Sequence, residues 1–235
     1  YKKVPTKQFN TDLAAIIAEI TPKTKLIFIA NPNNPTGTFI NHNELKTFLK
    51  QVPRSVIVVI DEAYKEYVTS EQINSNLNLL KTYENVVITR TFSKMYGLAG
   101  LRIGYGLASS NIVNSLQKVR PPFNVNSLAL AAATKALDND SFVKKSQKVN
   151  QDGLKQYEKA CSNWPVTLLE TQANFVCLIL HDRVAQNAYD ICIKKGIIIR
   201  KLNSFGIDNG IRITIGTQKQ NQECIKCLNE LFDKE

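Results

Sequence analysis

The 235 residues are enough for one or two domains, and 43% hydrophobic with 21% charged residues is ordinary for a globular protein. The formal net charge of +10 could indicate a nucleic-acid partner. However, the lysines of residues 144–159 and 194–234 are scattered without interleaved aromatic residues, so no nucleic-acid partner is predicted. No apolar run approaches the roughly 20 residues of a membrane span, so no membrane association is predicted either.

The first predicted strand covers residues 25–30 and leads into a loop rich in asparagine and proline. That loop, Asn31–Gly37, has the sequence NPNNPTG, and its two Asn-Pro steps predict an irregular, rigid connection. A simple turn needs only one such step, and the second fixes an amide side chain in place. Asn34 is therefore a candidate hydrogen-bond donor to a ligand at the strand end.

The second predicted strand, residues 56–61, is an apolar run typical of a strand buried on both faces of a parallel sheet. Asp61 ends this strand, at the edge where open α/β sheets bind ligands. Its carboxylate could pair with a protonated pyridine nitrogen, or it could only cap the following segment. Tyr64 reaches the same face if the chain turns helical, and is otherwise a packing residue.

A lysine in a turn follows the third predicted strand, residues 86–90. Lys94 ends the sequence TFSK, and Arg102 follows eight residues later. A lysine that loses solvation in such a turn offers a nucleophilic amine suited to Schiff-base chemistry. Together with Asp61 and the asparagine-rich loop, these groups predict binding of pyridoxal 5′-phosphate (PLP).

Three motifs in this order resemble the fold-type-I PLP-dependent enzymes of the class I and II aminotransferases: NPNNPTG, IDEAY and TFSK-x7-R. The segments TRTFSKMYGLAGLRIGYGLAS, VRPPFNVNSLALAA and IRITIGT are similar to the histidinol-phosphate aminotransferase family, and the resemblance spans nearly the whole chain. It implies an α/β fold with a central, mostly parallel sheet in a large PLP-binding domain, of which residues 1–140 are the remainder. Residues 141–235 would form a smaller α+β domain, and intact members are expected to be homodimers.

The resemblance also implies a role for each cofactor-binding residue. Lys94 would bind PLP covalently and then transfer the proton, while Asp61 would pair with the pyridine nitrogen. The remaining contacts would be made to the ring oxygen O3′ by Asn34 and Tyr64, and to the phosphate by Thr91, Ser93 and Arg102.

The substrates implied by the resemblance are phosphorylated and carboxylated small molecules. Arg212, in IRITIGT, would bind the carboxylate of glutamate and the phosphate of histidinol phosphate, with Arg200 as a second phosphate contact; either could instead be a solvated cation. The implied reaction moves an amino group from glutamate to imidazole-acetol phosphate, giving 2-oxoglutarate and histidinol phosphate. Two alternatives stay open: a PLP-dependent threonine-phosphate decarboxylase, and a non-catalytic, cofactor-binding module of a transcriptional regulator.

Family members carry a segment ahead of the position where this sequence begins, with a glycine-rich phosphate turn and a tyrosine that reaches the partner subunit's site. We therefore expect the 235-residue chain alone to lack a complete active site. We also expect one contiguous slab of strands with bare edges. Its strands would be residues 25–30, 56–61, 86–90 and 101–107.

The alternation of short strands and helices in residues 141–235 predicts an antiparallel sheet with helices. Its predicted elements are strands at 174–180, 197–201 and 211–216, a helix at 184–195 and a terminal helix; further helices are predicted at 127–137 and 140–161.

Five cysteines are an odd number, and Cys224 and Cys227 lie one turn apart in a helical pattern. No disulfide is therefore expected, which favours a cytoplasmic protein. With only two histidines in the chain, no metal site is predicted.

Overall fold

The structure is a computed structural model, and it describes residues 1–69, 76–181 and 185–232. The chain forms two compact units. Unit 1 comprises Tyr1–Asn33 and Phe39–Val143, and unit 2 comprises Asn34–Thr38 and Lys144–Glu235. A five-residue loop near the start of the chain therefore packs with the C-terminal unit, which the sequence pattern alone did not indicate.

Unit 1 is built on a four-stranded sheet whose strands lie side by side in chain order. The strands are β1 (Leu26–Ala30), β2 (Ile57–Asp61), β3 (Val86–Thr91) and β4 (Gly104–Ala108). The first three run parallel and β4 pairs antiparallel with β3, which confirms the predicted α/β fold with a contiguous, mostly parallel sheet. The predicted strand at 101–107 is displaced, because Ala99–Leu101 form a 3₁₀ turn before β4 begins.

Five helices of unit 1 are described, and a sixth connects it to unit 2. They are α1 (Leu13–Ala18), α2 (His42–Gln51), α3 (Leu79–Thr82), α4 (Ser110–Val119), α5 (Ser127–Leu137) and the connecting α6 (Asp140–Cys161). The start of α2 is fixed by a capping box, in which Asn41 accepts from the Glu44 N–H and the Glu44 carboxylate accepts from the Asn41 N–H.

The two faces of the unit 1 sheet are buried to different degrees. Alternate residues of β1 and β2, among them Ile29 and Ile60, are fully buried in one core with helix α2. On the other face Leu26 is 52% exposed and Phe28 is 72% exposed. The prediction that residues 56–61 are buried on both faces is therefore wrong, since Ile57 is only half-buried.

Unit 2 contains a second four-stranded sheet, in the order β5-β6-β8-β7, with every neighbouring pair antiparallel as predicted. Its strands are β5 (Val166–Leu168), β6 (Phe175–Leu180), β7 (Arg200–Lys201) and β8 (Gly210–Thr214). Strand β5 was not predicted, and the strand predicted at 197–201 is limited to Arg200–Lys201.

Helices α7 (Ala185–Lys194) and α8 (Gln218–Phe232) complete unit 2. The predicted start of α7 at residue 184 lies outside the described residues. All six residues of β6 are buried, and they pack in a core with Tyr157 of α6 and Leu228 of α8.

All five cysteines are free and buried, and Cys224 and Cys227 lie one turn apart in α8 as predicted. Among the described residues, no helix is both long enough and apolar enough to cross a membrane. The same residues contain no cluster of three or more His, Cys, Asp or Glu side chains that could hold a metal ion.

Candidate active site

The predicted carboxylate lies at the carboxyl end of a central strand. Asp61 is the last residue of β2, paired in register with Ala30 of β1 and Thr89 of β3. Its side chain is exposed, and Oδ1 accepts a hydrogen bond from the backbone N–H of Ala63 at 3.1 Å. Asp61 therefore does cap the following turn, as the simpler interpretation held, and it lies at the carboxyl end of its strand, the edge where open α/β sheets bind ligands.

Two of the predicted residues, Lys94 and Tyr64, lie together in unit 1. Tyr64 is buried and precedes a 3₁₀ turn at Lys65–Tyr67, so the chain does turn helical after Asp61. The Lys94 ammonium lies 5.5 Å from the centroid of the Tyr64 ring, within the range of a cation–π contact. The end of β2 and the turn after β3 thus bring an amine and a phenol to one place.

Lys94 is exposed in this chain, and the expectation that it loses solvation is wrong for the chain as described. The reason is the turn that carries it. The N–H of Gly97 bonds the Lys94 carbonyl at 3.0 Å, and its neighbours Phe92 and Met95 are the residues that are buried. Lys94 therefore extends from the turn toward Tyr64 and not into the core.

The three predicted phosphate-binding residues flank the same turn. The N–H of Ser93 donates to Thr91 Oγ1 at 3.0 Å, which forms a tight turn directly after β3. Arg102 has a left-handed backbone, with φ of 53°, and its exposed guanidinium donates from Nη1 to the Ala99 carbonyl at 2.8 Å. Two hydroxyls and a guanidinium of unit 1 are therefore available near the sheet edge.

The predicted residues of unit 2 form a second group. Arg212 Nη1 donates a hydrogen bond to Asn34 Oδ1, although the two residues are 178 positions apart. The Arg212 guanidinium also lies 4.9 Å from the centroid of the Phe175 ring. Arg200 is directly opposite Arg212 in the β7–β8 pairing, and its guanidinium lies 5.3 Å from the Phe205 ring centroid.

The asparagine-rich loop is held at both of its ends. Asn31, which sequence reasoning did not single out, is fully buried; its Nδ2 donates to the Ile40 carbonyl and its Oδ1 accepts from the Ile40 N–H, both at 2.8 Å. The peptide bonds before Pro32 and Pro35 are both cis. The sequence feature that could have identified Asn31 was the first Asn-Pro step, because the prediction had used only the asparagine of the second step, Asn34.

Gly37 fixes the loop within unit 2. Its φ is +81°, and an added Cβ would lie 2.2 Å from Thr171 Oγ1. Its carbonyl also accepts a hydrogen bond from the N–H of Gln172 at 2.9 Å. Only glycine fits this close approach without displacing Thr171.

Sequence reasoning also missed a buried ion pair next to the site, formed by Glu62 and Arg90. The available signal was a second acidic residue directly after Asp61, at the end of a strand whose core-facing side is apolar.

The chain matches the family model described as "Aminotransferase class I and II" over residues 1–228. It is 46% identical over 231 residues to a histidinol-phosphate aminotransferase of Moorella thermoacetica, covering 98% of this chain and 60% of that protein. The chain therefore spans about three fifths of the length of this curated relative.

Solved structures show the same fold. The histidinol-phosphate aminotransferase of Sinorhizobium meliloti, in complex with pyridoxal-5′-phosphate, superposes with a TM-score of 0.89 at 27% identity, covering 98% of this chain and 64% of that one. The L-threonine-O-3-phosphate decarboxylase of Porphyromonas gingivalis gives a TM-score of 0.77 at 26% identity, covering 93% of this chain and 68% of that one. By its sequence and its fold, the chain belongs to the class I and II aminotransferase family.

Proposed function

We propose that this chain is part of a PLP-dependent aminotransferase that moves an amino group between glutamate and imidazole-acetol phosphate, with 2-oxoglutarate and histidinol phosphate as the other pair. The observation that carries the proposal is the 46% identity, over 98% of the chain, to a histidinol-phosphate aminotransferase. The reaction belongs to histidine biosynthesis. Because the chain spans three fifths of that relative, the proposal concerns the complete protein that carries it.

The donor set of unit 1 fits PLP. PLP supplies an aldehyde that reacts with amines and a ring that withdraws electrons from the carbon losing its proton. Asp61, exposed at the strand end with one oxygen on Ala63, can hold the protonated ring nitrogen. The phosphate can be held by the Thr91 and Ser93 hydroxyls and by Arg102, as a charge-assisted contact.

Lys94 and Tyr64 provide the acid–base groups of the proposed reaction. The exposed Nζ of Lys94 would attach the cofactor and would afterwards serve as the acid and base that moves the proton in the 1,3-shift. The Tyr64 ring, 5.5 Å from that nitrogen, restricts where the amine can lie. Its hydroxyl and the Asn34 amide are the proposed partners of the ring oxygen.

Arg212 and Arg200 are the proposed substrate residues. Directly opposite residues on antiparallel strands have their Cβ atoms about 4.5–5.5 Å apart, so two guanidinium groups start from neighbouring positions. Two cations suit a phosphate dianion, whereas a carboxylate needs one bidentate arginine. This difference supports a substrate with a phosphate at one end.

The proposed enzyme is a cytoplasmic homodimer. The five buried free cysteines support a reducing compartment. Exposed apolar side chains on α4 and α5 support a subunit contact, because monomeric soluble proteins rarely expose groups of large apolar side chains to water. These side chains are Leu116, Val119, Leu128 and Leu130.

A threonine-phosphate decarboxylase is the second candidate, supported by the TM-score of 0.77 to the Porphyromonas gingivalis enzyme. It would use the same cofactor and also recognise a phosphate, but would release carbon dioxide in place of exchanging an amino group.

One experiment separates the two candidates. The complete protein, loaded with PLP, is given either histidinol phosphate with 2-oxoglutarate or O-phosphothreonine alone, with Lys94→Ala as the inactive control. The proposal expects glutamate to form from the first mixture and no carbon dioxide from the second. Carbon dioxide release without glutamate formation would establish the decarboxylase instead.

A further inference from the structure

A buried polar network lies directly beneath the proposed site. Glu62, which follows Asp61, is fully buried, and its Oε2 accepts a hydrogen bond from Arg90 Nε at 2.9 Å. Arg90 Nη2 lies 2.8 Å from the same oxygen, and Arg90 is only 8% exposed. Arg90 thus donates one hydrogen bond to the carboxylate, from Nε, and its Nη2 lies within ion-pair distance of the same oxygen.

The network extends away from the ion pair toward helix α2. Asn76 Nδ2 donates to Glu62 Oε1 at 2.9 Å, so both carboxylate oxygens of Glu62 are engaged. His42 Nδ1, in the first turn of α2, lies 3.2 Å from Asn76 Oδ1. Four side chains from separate segments of unit 1 therefore meet at the end of β2.

Adjacent residues of a strand point to opposite faces of the sheet. Ile60 and Ile88 belong to the core on the α2 side of the sheet. The Arg90 side chain, two residues after Ile88, therefore lies on that face, and the Thr91 side chain lies on the opposite face. Asp61, paired with Thr89, lies on the same face as Thr91. The ion pair and the proposed cofactor-binding groups therefore occupy opposite faces of the same two strand ends.

Backbone hydrogen bonds connect the same strand ends. The N–H of Glu62 donates to the Thr89 carbonyl at 2.8 Å, and the N–H of Asn31 donates to the Asp61 carbonyl at 2.9 Å. The Glu62 side chain adds a link from β2 to β3 beyond the last residues of the backbone ladder. A rotation of the chain at Asp61 would break this link.

Burying an ion pair is a poor way to gain stability, because desolvation offsets most of the attraction. Burial alone lowers the pKa of Arg90, but the Glu62 charge and hydrogen bonds with Tyr105 and Glu62 outweigh it and raise that pKa. Arg90 therefore stays charged. A buried, charged pair whose carboxylate accepts hydrogen bonds from both Arg90 and Asn76 calls for a role other than added stability.

We propose that Glu62 is a positioning residue: held by Arg90 and Asn76, it fixes the ends of β2 and β3 and thereby the direction of the Asp61 carboxylate toward the cofactor. This inference rests on the proposed function for the identity of the cofactor. The orientation of Asp61 itself is a property of the protein without cofactor.

The test compares Glu62→Gln with Leu45→Ala, a truncation in the core of the same unit, in the complete protein. Glu62→Gln keeps the size of the side chain and removes its charge. Two quantities are measured beside the thermal unfolding midpoint: the dissociation constant of PLP, and the hydrogen exchange of the Ala63 amide without PLP. That amide is bonded to Asp61 Oδ1 and so reports on the carboxylate.

At comparable losses of thermal stability, we expect Glu62→Gln to weaken PLP binding about tenfold more than Leu45→Ala. Losses of about 10- to 100-fold are typical when an outer hydrogen-bonding partner is removed at metal sites. The Ala63 amide should exchange faster only in Glu62→Gln. If that variant does not fold, Arg90→Lys is used, because it keeps the charge and loses the hydrogen bond from Nε to Glu62; the same two effects are expected.

Equal PLP binding and equal Ala63 exchange in the Glu62 or Arg90 variant and the Leu45 control would overturn the inference, since the pair would then be an ordinary part of the core. A wild-type protein that binds no PLP would overturn the proposed function instead. The exchange of the Ala63 amide, measured without cofactor, would still decide whether Glu62 orients Asp61.

Discussion

Arg212 and Asn34 are hydrogen-bonded to each other across 178 positions of sequence, with the guanidinium donating to the amide oxygen. The family resemblance implies a different ligand for each residue, the cofactor for Asn34 and the substrate for Arg212. Their contact places the two residues with these proposed roles side by side in unit 2. It also directs the Asn34 amide nitrogen, the donor proposed for the ring oxygen, away from the arginine.

Arg200→Ala is expected to weaken the binding of histidinol phosphate more than the binding of glutamate. A carboxylate can still be bound by Arg212, whereas a phosphate dianion loses one of two cations. The difference should be about 1–3 kcal/mol, the size of one lost hydrogen bond to a charged group. Steady-state kinetics with each substrate measure it, and Lys201→Ala, at the neighbouring position of β7, is the control. Equal losses for both substrates would contradict phosphate recognition by Arg200.

Asp61→Asn is expected to leave the fold intact and lower turnover by at least about 100-fold, the loss seen when one key electrostatic partner is removed. The asparagine oxygen can still accept from the Ala63 N–H, so the cap at 3.1 Å survives. Only the charge opposite the ring nitrogen disappears. Thermal unfolding should change little and PLP should still bind while turnover falls; near-normal turnover would show that Asp61 is only a cap.

Most of the sheet order of unit 1 could be predicted, because apolar runs ending in polar residues mark parallel strands and the family resemblance fixes their neighbours. The Asn34–Arg212 bond could not, since nothing in local sequence encodes a contact at that separation. The Glu62–Arg90 pair was missed because a charged residue at a strand end is ordinarily solvated. Strand β5 has only three residues, too few to show a period.

The half-exposed second face of the unit 1 sheet could not be predicted from the sequence either. The sequence shows which strand residues are apolar, but it does not show whether another segment of the chain packs over them and buries them. Phe28, 72% exposed on β1, has the sequence signature of a buried strand residue.

Gly37→Ala is expected to lower the melting temperature more than Gly206→Ala. Both glycines have positive φ, +81° and +77°, so both substitutions carry backbone strain. At Gly37 the new methyl also meets Thr171, whereas nothing lies within 4 Å at Gly206. The extra loss should be about 1–3 kcal/mol, typical of forced overpacking. Similar melting temperatures for the two variants would mean that Thr171 moves aside at little cost.

The 235-residue polypeptide by itself is expected to self-associate through the uncovered face of β1. Strand β1 is an edge strand of the described sheet and presents two large apolar side chains to water, which favours pairing with another copy. Phe28→Ser should shift the association to higher concentration in sedimentation experiments. Tyr1→Ser removes an even more exposed aromatic residue that belongs to no strand of the sheet and should have no such effect. A monomer at all concentrations would contradict the expectation.

Mapping the covalent attachment of PLP to Lys94 tests the proposed PLP-dependent function most directly. The complete protein is incubated with PLP, reduced with borohydride and digested, and the modified peptide is identified by mass spectrometry. We predict a label on Lys94, lost in Lys94→Arg and kept in Lys118→Arg, a control on α4. A label on another lysine that persists in Lys94→Arg would contradict it.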